Sequence, residues 1–87
     1  MAQFDLYEYR RFGSRAAFLV DVQSDLLETL TTRIVIPIYL VTPDTSLVRI
    51  LNPTVELSGG TFFLSTAEMA AVRNSELKRV VGSLNTI

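Results

Sequence analysis

Eighty-seven residues, 48% of them hydrophobic, suffice for one small domain spanning 1–87 with a core of its own, but not for two. There is no Cys and no His, which excludes disulfides, thiolate zinc sites and imidazole ligands, and a homodimer is the remaining staple for so small a fold. Eight basic against nine acidic side chains leave a net charge of −1, and no apolar run approaches the roughly 20 residues that cross a bilayer, so neither direct nucleic-acid binding nor membrane insertion is expected.

Met1 to Arg11 alternates polar and apolar residues without the apolar centre of a signal peptide, which with the lack of Cys points to the cytoplasm. Within it, Phe4 to Tyr9 has the period of a strand, Phe4 and Leu6 on one face, Tyr7 and Tyr9 on the other, the tyrosines reading as a second packed face. Arg10 to Arg15 reads as a turn, and Ala17 to Val22 as a second strand, antiparallel to the first. Asp25 to Thr32 carries Leu26, Leu27 and Leu30 at helical spacing but is too short to hold a helix, so an irregular connector is expected. Arg33 to Ile38 is β-branched and reads as a third strand, with Pro37 near its end where a missing N–H does no harm.

Thr42-Pro43-Asp44 signals a turn, and Leu47 to Leu51 is open between a short strand and a packed loop. Pro53 to Leu57 and Thr61 to Ser65 flank Ser58-Gly59-Gly60, whose glycines supply the positive φ of a tight hairpin. Thr66 to Val72 is open between a helix start and a short strand. Ser83 and Asn85 are helix-capping residues placed where a terminal helix would begin, which leads to the expectation that the sequence is a shortened form. Together the elements define a mainly β fold.

The run Val20-Asp21-Val22-Gln23-Ser24-Asp25, followed by Arg33-Ile34-Val35-Ile36-Pro37, resembles the signature of the CcdB toxins. Gln3-Phe4 with Tyr7 and Tyr9, Pro53-Thr54-Val55, and Thr66 to Val72 with Met69 are similar to flanking segments of that family. The resemblance implies an SH3-like barrel of antiparallel strands with a small extra sheet, a C-terminal helix and a symmetric dimer. It implies a toxin of a plasmid-addiction module, not an enzyme and with no small-molecule cofactor, that binds the DNA gyrase A subunit and traps cleaved DNA, neutralised by a CcdA-type antitoxin. The family's gyrase-contacting group ends its terminal helix; Asn85-Thr86-Ile87 does not match it, so no gyrase contact is assigned within this chain.

Asp21, Gln23, Ser24, Asp25, Arg33 and Pro37 are thus structural or dimer candidates. For Asp21, Gln23 and Asp25 a solvated face with turn capping is preferred to a contact ledge, and magnesium binding is disfavoured for want of further acidic ligands. Arg33 is expected in an ion pair with Asp21 or Glu28. Arg10, Arg11, Phe12 and Arg15 form a basic cluster that reads either as a solvated turn or, following the family, as a surface receiving an acidic antitoxin peptide. Two alternatives stay open: a MazF-like endoribonuclease, which would need a base, an acid and cationic stabilisation without any His, and a non-toxic remnant that binds antitoxin.

Overall fold

The computed structural model describes residues 3–9, 16–27, 29–43, 52–57, 59–77 and 79–84. Among them are seven strands, β1 (Asp5–Glu8), β2 (Phe18–Asp21), β3 (Thr32–Leu40), β4 (Thr54–Leu57), β5 (Gly60–Leu64), β6 (Ala70–Arg73) and β7 (Val80–Ser83). Every pairing is antiparallel, in the order β4-β5-β3-β2-β1-β7, with β6 added to β3. The described residues contain no α-helix, only single 3-10 turns such as Asp25–Leu27, Thr66–Glu68 and Asn74–Glu76.

The alternation read from the sequence becomes two packed faces. Leu6, Val20, Ile36 and Ile38 form one buried cluster, while Tyr7, Leu19, Val35 and Leu77 form another on the opposite face. Leu57 of β4 and Leu84, just after β7, both pack against the first cluster although they come from opposite ends of the strand order. That contact requires the sheet to curl into a half-barrel around these side chains. Phe18 and Phe62 close part of the curl edge to face, with ring centroids 5.5 Å apart. Each aliphatic side chain so buried contributes roughly 1.5–3 kcal/mol.

β3 is the organising strand. On one side it pairs with β2, Leu19 lying opposite Pro37. On the other it meets two strands in succession, β6 along Thr32 to Val35 and β5 along Ile38 to Leu40. Pro37 falls in the gap between those registers, where no strand needs its N–H, and its carbonyl accepts the Ser65 N–H at 3.0 Å. A proline in the middle of a nine-residue strand is therefore tolerated for the same reason as one on a sheet edge.

The expected β4–β5 hairpin is present, with Gly59 at φ 81° between its strands, and it joins the main sheet through β5. Thr66 to Val72 is neither wholly helix nor wholly strand but a 3-10 turn leading into β6. Ser83 is the last residue of strand β7. Phe4 lies outside β1 at φ 70°, an unusual conformation for a bulky residue, its N–H bonded to the Asp21 carbonyl and its own carbonyl accepting the Leu84 N–H. The expected turn at Arg10 to Arg15, the segment Leu47 to Leu51 and Asn85 to Ile87 lie outside the described residues.

Candidate functional site around the buried Asp21 and Arg33 pair

The signature residues gather where β2 ends and β3 begins. Asp21 is the last residue of β2 and Arg33 the second of β3, and the antiparallel register brings them side by side across the connector. Arg33 Nε donates to Asp21 Oδ2 at 2.6 Å with both side chains fully buried. The other Asp21 oxygen, Oδ1, accepts the Gln23 backbone N–H at 3.0 Å. Charge-assisted bonds at both oxygens offset the cost of taking a carboxylate out of water.

Gln23 extends the network. Its Oε1 accepts the Ile34 N–H at 3.1 Å and its Nε2 donates to the Leu27 carbonyl at 2.7 Å. One side chain thus ties the start of β3 to the 3-10 turn that Asp25 opens. The Ser24 hydroxyl accepts the Leu26 N–H at 3.3 Å on the exposed outer side of that turn.

This arrangement overturns the solvated-face reading of Asp21 and Gln23: both are buried, and neither can serve as a contact ledge. Arg33 pairs with Asp21; Glu28, the other candidate, lies outside the described residues. Ser24 is exposed, and Pro37 stands apart from the network, opposite Leu19. Arg10, Arg11, Phe12 and Arg15, the antitoxin-contact candidates, lie outside the described residues.

Sequence reasoning did not single out Tyr7 as part of this neighbourhood. Its ring packs in the second cluster, and its hydroxyl is buried with no hydrogen-bond partner. Burial, reinforced by the charges of Asp5 and Asp21 and opposed by Arg33, pushes its pKa above the usual tyrosine value. Tyr39 is shifted the same way, first by burial and then by a hydrogen bond and charge from Glu68, while its ring stacks on Phe63 at 5.4 Å. Also missed was the exposure of the connector: Leu26 stands 92% in solvent, with Leu27 and Leu30 about half exposed. Their helical spacing was visible, but nothing in it distinguished a buried stripe from an exposed one.

Chemically, the site is a brace. A sealed guanidinium–carboxylate pair can hold two strands in register but cannot reach a substrate. Among the described residues, no group of three or more carboxylates is placed to hold a metal ion, and no helix is long and apolar enough to cross a membrane.

Fold and site define a small all-β protein whose curled antiparallel sheet is pinned by a buried ion pair at the β2–β3 crossing. Within that class the chain belongs to the CcdB family, whose model, described as CcdB protein, matches residues 3–87. The match takes in the whole Asp21 to Pro37 region, and membership makes this a toxin of the toxin–antitoxin type.

Proposed function

We propose that the protein is the toxin of a plasmid-addiction module, acting in the cytoplasm as a homodimer that binds the A subunit of DNA gyrase and traps the enzyme on cleaved DNA. A CcdA-type antitoxin neutralises it, with Arg10, Arg11, Phe12 and Arg15 offering charge and one apolar contact to an acidic peptide. The action is by protein binding rather than catalysis. The observation that carries this reading is the family match over residues 3–87. An RNA-cleaving role finds less support, because the chain has no His and the Arg33–Asp21 pair is sealed from solvent.

The test is a cleavage assay with gyrase, ATP and supercoiled plasmid. The 87-residue chain is compared with a version extended by a family-type terminal helix. Protein-linked linear DNA with either, suppressed by prior addition of antitoxin peptide, supports gyrase poisoning. Antitoxin binding without linear DNA from either version supports a non-toxic antitoxin-binding protein instead, and failure of both overturns the proposal.

A further inference from the structure

The outer edge of β6 is open among the described residues. The direction of its free groups follows from β3: Ile34 turns both its N–H and its carbonyl towards the β2 side, donating to Gln23 and accepting from Val22. Alternation then points Arg33 and Val35 towards β6, where they face Val72 and Ala70. The N–H and C=O groups of Ala71 and Arg73 must therefore point away from β3. Met69, Ala70 and Ala71 are exposed, and the two alanines present small side chains that let another backbone approach. Nothing in Ala70–Arg73 blunts this edge with Pro or Lys.

A cleft of about 500 Å³ adjoins the edge, lined by Thr31, Thr32, Arg73, Asn74 and Ser75. It offers hydroxyls, a guanidinium and an amide, and no carboxylate among the described residues lines it. Asn74 is fixed from two directions, its backbone N–H donating to Thr31 and its Nδ2 to the Leu30 carbonyl, both at 2.9 Å. With the amide so oriented, Asn74 Oδ1 is a buried acceptor that no donor meets.

We propose that the β6 edge and this cleft bind an extended peptide carrying an acidic side chain. The peptide adds as a strand, bonding the N–H and C=O of Ala71 and Arg73. Its carboxylate lies on Arg73 among the hydroxyls of Thr31, Thr32 and Ser75. A second copy of the chain fits less well: Met69 to Val72 is uncharged, the next carboxylate, Glu68, is engaged by Tyr39, and two four-residue strands are a small contact for a stable dimer. The inference goes beyond gyrase poisoning and holds whether or not that reading does.

The experiment is an NMR titration of the labelled 87-residue chain with a short capped peptide alternating threonine and valine around one aspartate, and with its asparagine analogue. The Ala71 and Arg73 amides should shift and exchange more slowly, with Val72, already bonded to β3, changing less. The asparagine analogue and Arg73→Gln should each weaken binding about tenfold. Ala71→Pro should abolish binding and still fold, because it removes an N–H outside the ladder. Equal binding of both peptides, no shift at Ala71 and Arg73, or an unfolded Ala71→Pro would overturn the proposal. So would protection of those amides that grows with protein concentration before any peptide is added, since a second copy would then occupy the edge.

Discussion

Replacing Asp21 by Asn is the sharpest test of the brace. The substitution preserves shape and leaves an oxygen able to accept the Gln23 N–H, so what it removes is the charge opposite a fully buried Arg33. Breaking a buried ion pair from one side costs about 3–5 kcal/mol, against about 5–15 kcal/mol of total stability for a typical domain. At about 4–8 °C per kcal/mol for a domain of this size, the melting temperature should fall by at least about 12 °C. Urea unfolding followed by far-UV circular dichroism measures the free energy, and a double-mutant cycle with Arg33→Met isolates the pair. The Asp21→Asn/Arg33→Met protein should recover much of the loss, because it leaves no buried charge behind. A single-mutant cost below about 1 kcal/mol, or a coupling energy near zero, would refute the reasoning and place the pair in water.

Tyr7→Phe removes a buried hydroxyl that meets no partner and should leave stability unchanged or raise it by up to about 1 kcal/mol in the same unfolding assay. The raised pKa of Tyr7 means that the unfolded chain ionises first: its contribution is intact below about pH 10 and is lost as pH rises through the folded value. Alkaline melts of Tyr7→Phe should therefore be flatter than those of the parent, with Tyr39 accounting for part of the remaining slope. Gly59→Ala, which meets no atom but must adopt φ 81°, should cost about 1 kcal/mol in a thermal melt through backbone strain alone. Gln23→Ala deletes two hydrogen bonds at the start of β3 and should cost about 1–3 kcal/mol, with faster amide exchange at Ile34.

Much of the sheet was legible because its signals are local. Alternation located the first two strands, β-branching the third, and Ser58-Gly59-Gly60 the β4–β5 hairpin. The elements that were missed depend on distant partners. Val80 to Ser83 is short, contains Gly82, and is a strand by virtue of β1, more than seventy residues upstream. Asp21 and Gln23 look like the solvent face of a strand until Arg33 and Ile34 arrive to satisfy them, which is why the motif was recognisable before its burial was. The β6 edge and the cleft beside it had no sequence signal, since Thr31, Thr32 and Asn74 become neighbours through the β3–β6 register.

The succession of β6 and β5 along one side of β3, with Pro37 at the change-over, also sets how the molecule comes apart. The hairpin β4–β5 meets β3 beyond that change-over, so it can open as a unit only by withdrawing Leu57 and Phe62 from the first cluster, while the β3–β6 register stays in place. The central β3 amides bonded to β2 have no such partial escape and should exchange with solvent only when the whole sheet dissolves.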